Sequence, residues 1–291
     1  MKLFFSQLCL VLLLAWSCTN TIDVMEGDED GQSNVTVCVN DFSITMDAFT
    51  RAATDVAEYS GVKAITLAFY ASDGTEVYKA TQLRADASTY TTFGNFSTSL
   101  ALGEYTMVVL GYGSLYAITL TSPTYAAYTD DNCRETFVYT RSVTINSTAD
   151  TNLDATLTRR VSKLSVRSTD PLPANVKKGS ITYSAGGKTF NPTTGLSTGT
   201  GLVHSFDFTS TVGSAASIGS YLFLNTDEQN INVTIRIMDA DENVLYSANV
   251  NDVPFKRNRT TTIQGKLFST SASSAFSVEA AWLEDGPVIG I

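Results

Sequence analysis

The chain has few of the side chains on which catalysis and metal binding usually depend. Its 291 residues include one histidine, His204, and only 16% of them are charged. A single histidine argues against zinc sites with several histidine ligands and leaves few general bases near neutral pH. The net charge of -10 repels the phosphate backbone of nucleic acids. The composition therefore predicts a protein that is not an enzyme, binds no metal or cofactor and has no nucleic-acid partner.

Long hydrophobic runs are also scarce. The apolar stretch at residues 8–16 is well short of the roughly 20 residues that a membrane-spanning helix needs. Residues 15–18, Ala-Trp-Ser-Cys, resemble the end of a bacterial lipoprotein signal, in which the cysteine becomes acylated. We therefore expect residues 1–17 to be a signal peptide and Cys18 to carry lipid, with an ordinary secretory signal cleaved near Ser17 as the alternative. The polar, acidic residues 18–33 are expected to form a solvated tether.

Apolar residues that alternate with period two are abundant. Ile65, Leu67 and Phe69 alternate with Thr66, Ala68 and Tyr70, and the same alternation runs through residues 231–237. Such spacing puts apolar side chains on one face of a strand. Similar short runs occur at residues 35–39, 105–110, 137–145, 164–166, 181–183, 221–224, 260–267 and 276–282. No segment after the signal shows a helical apolar stripe, so the sequence predicts an all-β protein with sandwich architecture.

The length predicts about two domains. Residues 65–78 and 233–246 share one order, namely an alternating strand, an acidic turn and a second strand with an aliphatic-Tyr pair. Two related sandwich domains would explain this similarity, and chance similarity of two hairpins is the alternative. Because a polar stretch ends before a new strand near residue 161, we place the domains at residues 34–158 and 159–291. Residues 191–201, rich in Thr, Ser and Gly, are predicted to be a long loop that is mobile or lies at a domain edge.

Two short motifs resemble functional ones but lack their context. Residues 195–199 fit G-x-S-x-G, yet no helix is predicted after Ser197, as a nucleophile elbow would require. Residues 239–243 begin like a calcium loop, yet the sixth position is Val244 rather than glycine. We interpret the first as a loop and the second as a hairpin turn. His204 is expected to be a surface or half-buried strand residue.

Two cysteines remain after the signal and the predicted lipid site. They are Cys38 and Cys133. In an exported protein such a pair can form a disulfide, which would tie an early strand of the first domain to a late one. Two isolated buried thiols agree with the spacing equally well, because connectivity cannot be read from spacing alone.

Several segments occur in an order that resembles a known family. They are the lipoprotein signal with its acidic tether, the first strand at residues 34–39, the triplet Thr50-Arg51-Ala52, and the segments 62–74, 102–109, 157–164 and 253–265. Together these segments span nearly the whole chain. In this order they resemble the fimbrillin and fimbrial anchor proteins of Bacteroidetes, the subunits of type V pili.

The resemblance implies two transthyretin-like β-sandwich domains in tandem. It also implies that the chain is a structural subunit (stalk, tip or anchor) of a fimbria that supports cell adhesion. The implied partners are other fimbrial subunits, the outer membrane through the lipid, and a host or bacterial surface ligand. The implied location is the outer membrane or the cell surface.

The resemblance further implies a route of assembly. In polymerising members of the family, an arginine-specific protease cuts after an arginine downstream of the first strand, and here the cut would fall between Arg51 and Ala52. The displaced strand would carry Val35, Val37 and Val39 on its apolar face. The groove that it leaves would be filled by a donor strand from a neighbouring subunit. The donor of this chain would be the C-terminal run that carries Val278, Ala280 and Trp282.

Alternatives remain open at two points. The alternative to processing at Arg51 is that this residue is simply an exposed loop arginine. A Cys38–Cys133 disulfide would keep the first strand tethered after cleavage. The chain could instead be a lipid-anchored surface module that recognises a glycan, because tyrosines are concentrated at residues 111–128 and aromatic rings stack on sugars. These are Tyr112, Tyr116, Tyr125 and Tyr128. Their other interpretation is ordinary packing in a β core.

Overall fold

Strands make up nearly all of the regular structure. The computed structural model describes residues 31–43, 53–116, 118–269 and 277–282. Within these residues there is no α-helix and only one 3-10 helix, Ala87–Thr89, so the prediction of an all-β protein is confirmed. None of these residues belongs to a helix long and apolar enough to cross a membrane.

The strands of the described residues are named here in chain order. They are β1 (Gln32–Ser43), β2 (Ala53–Asp55), β3 (Ala64–Ala71), β4 (Glu76–Leu83), β5 (Asn95–Ala101), β6 (Gly103–Tyr112), β7 (Thr119–Ser122), β8 (Tyr125–Ala127), β9 (Thr136–Ile145), β10 (Thr151–Arg159), β11 (Ser162–Pro171), β12 (Lys178–Tyr183), β13 (Thr189–Asn191), β14 (Leu196–Ser197), β15 (Leu202–Asp207), β16 (Ala215–Leu222), β17 (Glu228–Met238), β18 (Val244–Lys256), β19 (Arg259–Gly265) and β20 (Ser277–Trp282).

The first half of the chain forms one large sheet. Its order is β2-β1-β10-β9-β6-β3-β4, and β5 also pairs with β1. The first and last strands of this half, β1 and β10, lie side by side and run parallel. Parallel neighbours cannot be joined by a tight turn. All other strands of the sheet lie between these two in the sequence, and they provide the long connection that a parallel pair needs.

The second half repeats this plan in two smaller sheets. Their orders are β16-β11-β19-β20 and β15-β12-β17-β18. The first strand, β11, runs parallel to the late strand β19 and antiparallel to β16, as β1 does with β10 and β5. The two hairpins that look alike in sequence are not equivalent in this plan. Residues 65–78 lie in β3 and β4. Residues 233–246 lie in β17 and β18, which correspond in position to β6 and β9 of the first half and not to β3 and β4.

A fourth sheet, β14-β13-β8-β7, joins the two halves. Its strands β7 and β8 come from the first half, and β13 and β14 come from the second. The prediction of a long mobile loop at residues 191–201 is therefore wrong in part, because this segment carries β14 and a tight turn. The turn requires glycine, since Gly195 has a φ of +72° and a Cβ there would lie 2.6 Å from Cδ of Arg160.

Two hydrophobic cores lie on opposite faces of the large sheet. One contains only side chains of the first half, among them Leu67 and Val109, whereas the other also contains most of the apolar side chains of the second half. Every residue of β3 from Ala64 to Tyr70 is buried, because both faces of this strand are covered. The alternation in its sequence therefore does not separate a core face from a solvent face. It distributes side chains between two cores.

The chain passes from the large sheet of the first half to the sheets of the second half between Arg159 and Ser162. The shared sheet and the shared core join the halves, and the described residues from Gly31 onward belong to a single compact unit. The division into domains at residue 158 remains a prediction. The tether predicted to end at residue 33 overlaps β1, because Gln32 and Ser33 belong to that strand and Ser33 is buried.

Tyrosines with buried rings are a feature of the shared core. Tyr70, Tyr112, Tyr128 and Tyr183 are at most 3% exposed. Burial raises the pKa of all four phenols, and it raises that of Tyr70 to about 12. Removal from water disfavours the charged phenolate, so these side chains stay protonated in the folded protein.

We predict that the protein loses stability steeply above about pH 10. The unfolded chain releases its tyrosine protons there, whereas the folded chain keeps them. The stabilisation is therefore complete below that pH and is lost as the pH rises toward the folded-state pKa. Each such tyrosine contributes a slope of about 1.4 kcal/mol per pH unit. Urea unfolding between about pH 8 and 11 measures the total slope.

Tyr70→Phe should remove the contribution of one tyrosine from this slope, because the Tyr70 hydroxyl makes only a 3.5 Å contact with the Leu120 carbonyl. Tyr116→Phe is the matched control, since the Tyr116 side chain is 72% exposed. Equal slopes for Tyr70→Phe and the wild type would contradict the prediction.

Candidate functional site

Strand β1 lies in the interior of the large sheet and is paired along both edges. On one edge, residues Val35 to Ser43 run parallel to β10. On the other edge, Gln32 to Cys38 pair with β5 and Asp41 to Ser43 pair with β2. Backbone bonds from Val39 to Gly94 and from Val56 to Asn40 fill the gap between these two neighbours. The strand is therefore part of a continuous ladder on each side.

One face of β1 closes the core of the first half. Val35, Val37, Val39 and Phe42 are at most 4% exposed. Burying a valine or phenylalanine side chain stabilises a protein by roughly 1.5–3 kcal/mol. A whole domain is typically stable by only about 5–15 kcal/mol. Loss of this strand would therefore remove a large share of the stability of the first half unless another strand took its place.

Polar side chains at both ends of β1 bond to the loop before β10 and to β10 itself. Ser33 Oγ donates to the Ala149 carbonyl at 2.6 Å, and Asn40 Nδ2 donates to Asp154 Oδ1 at 2.8 Å. The Asn40 contact is exposed to solvent, and hydrogen bonds of this kind exchange readily with water. The Asn40 contact therefore adds little to the free energy of unfolding, although it supports the register of β1 against β10.

The structure does not contain the disulfide that the cysteine count left open. Cys133 is buried in the shared core, where its thiol donates to the Gly187 carbonyl at 3.7 Å. Cys38 lies on β1, opposite Asn95 and Asp154. Neither cysteine forms a disulfide. Burial raises the pKa of the Cys133 thiol, which keeps it protonated and unreactive. In this structure no covalent bond between these two residues ties β1 to the rest of the sheet.

Several predicted site residues lie outside the described residues. They are Cys18, in residues 1–30, and Arg51 and Ala52, in residues 44–52. Residues 44–52 connect β1 to β2, and the strand residues on either side, Ser43 and Ala53, pair with each other. A cut after Arg51 would therefore separate β1 from β2 in the chain and leave β1 held only by non-covalent contacts.

The predicted donor segment forms β20, an edge strand. β20 runs antiparallel to β19, with Val278, Ala280 and Trp282 opposite Ile263, Thr261 and Arg259. It ends the sheet order and has one paired edge, whereas β1 has two. The side chains of residues 278–282 are outside the described set, so their alternation remains a sequence observation.

A buried ion pair lies beside the end of β1. The Phe42 ring contacts the rings of Phe137 and Tyr59, with centroids 4.8 and 5.7 Å apart. The Tyr59 hydroxyl donates to Glu135 Oε2 at 2.7 Å, and Glu135 Oε1 lies 2.6 Å from Nη2 of Arg159. Burial, reinforced by the charge of Glu135, raises the pKa of Tyr59, so its hydroxyl remains a donor.

The same arginine links the two halves of the chain. Arg159 Nη1 donates to Asn258 Oδ1 at 3.2 Å, and the Asn258 backbone N–H donates to the Val161 carbonyl at 2.9 Å. Asn258 adopts a φ of +58°, a left-handed conformation that asparagine tolerates. Sequence analysis missed this network, because Glu135, Arg159 and Asn258 are far apart in the chain. The pattern Leu153-Ala155-Leu157-Arg159, with arginine in line with apolar residues, was the available signal.

The two rejected motifs have structural roles. Ser197 is buried in β14, where its Oγ accepts a hydrogen bond from the Gly199 N–H at 2.9 Å. Asp239 Oδ1 accepts hydrogen bonds from the N–H groups of Asp241 and Asn243, both at 2.9 Å, which is the hairpin turn that the sequence predicted. His204 lies on strand β15, as expected, but the expectation of a surface or half-buried side chain was wrong, since it is only 6% exposed.

The tyrosines of residues 111–128 separate into two groups. Tyr112 and Tyr128 are buried in the shared core, whereas Tyr116 is 72% exposed and Tyr125 is 41% exposed. Core packing is the role of the first two. The second two are available at the surface.

Solved structures share the fold of this chain. It is similar to the crystal structure of a candidate adhesin from Bacteroides ovatus, with a TM-score of 0.51 and 14% identity over 87% of this chain and 97% of that chain. The fimbrial anchor protein Mfa2 from Porphyromonas gingivalis has a TM-score of 0.48 and 12% identity over 86% of this chain and 98% of that chain. The chain thus shares its all-β fold with the Bacteroides ovatus protein.

The family of the chain follows from its sequence. The model of the family described as "Family of unknown function (DUF6562)" matches residues 27–287, and the chain belongs to this family. No curated protein matches it.

We predict that Glu135→Gln destabilises the protein by about 3–5 kcal/mol, because it leaves the Arg159 charge buried without a carboxylate. Glu104→Gln is the matched control, since Glu104 is exposed, and it should change the free energy of unfolding by less than about 0.5 kcal/mol. Urea denaturation at neutral pH measures both values. Equal stability of the two variants would show that the pair does not hold this junction together.

Proposed function

We propose that this chain is a structural subunit of a surface fimbria that is assembled by strand complementation. One observation carries the proposal. β1 fills the centre of the large sheet and closes a core, yet residues 44–52 are its only covalent link to the strands that follow. A strand that is this deeply buried and connected through a cleavable segment can leave only if an equivalent strand replaces it. The similarity of the fold to that of a Bacteroides ovatus protein described as an adhesin supports this role.

Loss of β1 would expose the binding site for a partner strand. The rims would be β10 on one side and β5 with β2 on the other, each presenting unpaired N–H and C=O groups. A donor must then run parallel to β10 and place apolar side chains at every second position. A strand from another subunit with this pattern satisfies both the hydrogen bonds and the exposed core.

Cys18 would supply the attachment to the outer membrane. Two or more acyl chains give stable anchoring, since each buried CH₂ contributes roughly 0.8 kcal/mol. A subunit that keeps its lipid and β1 would be an anchor, and one that is cut after Arg51 would lose both and polymerise. No catalytic step is part of this role. The further partners are a host or bacterial surface ligand and neighbouring subunits.

We predict that Arg51→Gln abolishes filaments, because the uncut chain keeps β1 in its groove. Arg141→Gln is the control, since Arg141 is exposed on β9. The variants are expressed at the native surface and imaged by electron microscopy. Mass spectrometry of the mature N-terminus then distinguishes a start at Ala52 from a lipidated Cys18. Filaments built from subunits that retain β1, or wild-type protein that stays monomeric, would refute the strand-complementation mechanism.

We also predict that Ala280→Asp blocks assembly while Ala281→Asp does not. The two positions are adjacent and take the same substitution, but only Ala280 is in phase with Val278 and Trp282. A carboxylate at an inward position would be buried without a partner, which is strongly unfavourable. Filament yield from mixtures of each variant with wild-type subunits measures the effect. Equal yields would show that this segment is not the donor.

A second candidate function is glycan binding by a lipid-anchored surface module. The exposure of Tyr116 and Tyr125 favours it, because exposed rings can stack on sugars. Binding on a glycan array by a protein that forms no filament would support this function over the fimbrial one.

A further inference from the structure

A chain of contacts leads from the end of β1 into the second half of the molecule, and its first steps are aromatic. The Phe42 ring contacts the rings of Tyr59 and Phe137, and these two rings also contact each other, with centroids 5.6 Å apart. A Cβ on Gly61 would lie 2.7 Å from Cε1 of Tyr59, so this position of the Tyr59 ring requires glycine at residue 61. Without Phe42, the Tyr59 ring would lose one of these two aromatic neighbours.

The next steps are polar and pass through the Tyr59 hydroxyl. This hydroxyl donates to Glu135 Oε2 at 2.7 Å and accepts a hydrogen bond from Nη2 of Arg159 at 3.2 Å. The same Nη2 lies 2.6 Å from Glu135 Oε1. The tyrosine oxygen therefore contacts both members of the ion pair, and a tilt of the ring changes both contacts.

The last step reaches the turn between β18 and β19. Nη1 of Arg159 donates to Asn258 Oδ1, and the Asn258 N–H donates to the Val161 carbonyl. β19 begins at the next residue, runs parallel to β11 and pairs with β20 along its other edge. The position of Asn258 therefore affects the start of the strand on which the edge strand β20 lies.

Burial makes this network sensitive to the loss of any one member. Arg159 and Asn258 are each 1% exposed, and Glu135 is 7% exposed. Water cannot easily replace a lost partner at such sites, and a buried polar group without a partner is costly. The remaining groups must then rearrange together, because the hydrogen bonds of a buried network depend on one another.

We propose that Tyr59 relays the presence of a strand in the place of β1 to the turn between β18 and β19. With the strand present, the ring of Phe42 supports Tyr59, and the Tyr59 hydroxyl orients Glu135 and Arg159. With the place empty, Tyr59 loses this support and the start of β19 becomes easier to open. The inference rests on the proposed function in this respect, since it gives strand exchange in the first half a consequence for the half that carries β20.

Hydrogen exchange of the backbone amides in the monomeric full chain tests the relay. Phe42→Leu, which removes the ring but keeps an apolar side chain on β1, should accelerate exchange of residues 258–261 roughly tenfold, a factor typical of coupled sites. Val37→Ala is the matched control. Val37 is buried in the same strand and core but pairs with β5, whereas Phe42 pairs with β2, the strand that leads to Tyr59. Val37→Ala should leave residues 258–261 unchanged.

A second variant interrupts the relay without changing β1. Tyr59→Phe keeps the ring beside Phe42 and removes the hydroxyl that contacts the ion pair. It should accelerate exchange of residues 258–261 by the same factor, and the addition of Phe42→Leu should accelerate it no further. Tyr105→Phe is the control, because it removes a tyrosine hydroxyl that donates to the last carbonyl of β5.

Three results would overturn the relay. The first is unchanged exchange of residues 258–261 in Phe42→Leu, and the second is equal acceleration by Val37→Ala, which would indicate a general loss of stability. The third is that the effects of Phe42→Leu and Tyr59→Phe add together. These measurements need neither cleavage nor filaments. Failure of the relay would therefore leave strand complementation standing, and a chain that forms no filaments could still contain the relay.

Discussion

The parallel pairing of β1 with β10 is the contact on which the first half of the molecule depends. β1, the first strand of this half, cannot pair with its parallel neighbour until β10, the last strand, has formed. The sheet is therefore complete only when residues 151–159 are in place. β1 then fills the centre of the sheet and covers one core. Its neighbours form continuous ladders along both of its edges, so β1 is held by backbone hydrogen bonds on each side.

The end of β1 also touches the junction between the halves. Phe42 packs on Tyr59 and Phe137, and Tyr59 in turn holds the Glu135–Arg159 ion pair that reaches Asn258. A Cβ on Gly111 would lie 2.9 Å from the Phe42 ring, so this approach depends on glycine. The position of β1 and the arrangement of the side chains at the junction therefore depend on one network of contacts. The second half has an edge strand of its own, β20, which is paired only with β19.

Sequence analysis predicted most strands because their apolar residues alternate. It missed several others, among them β5 and β10. In β5 only Phe96 and Leu100 are large buried apolar residues, whereas β10 does alternate at Leu153, Ala155 and Leu157 but begins within residues that were assigned to a polar stretch. It predicted a loop at residues 191–201, because a segment rich in glycine and threonine has the composition of a linker. The pairing of this segment with another strand is visible only in the folded structure. The first strand and its apolar face, Val35, Val37 and Val39, were identified correctly as a strand because no helix accommodates that spacing.

The sequence by itself determined the all-β class, the strand periodicity, the acidic charge and the scarcity of catalytic side chains. These are local or compositional properties, and they do not depend on which segments meet. Only the tertiary structure decided that β1 pairs with β10, that β3 is buried on both faces, that Glu135 meets Arg159 and that Arg160 lies beside Arg257. Each of these contacts joins residues distant in the chain, and strand pairing is chosen by side-chain packing across the whole sheet.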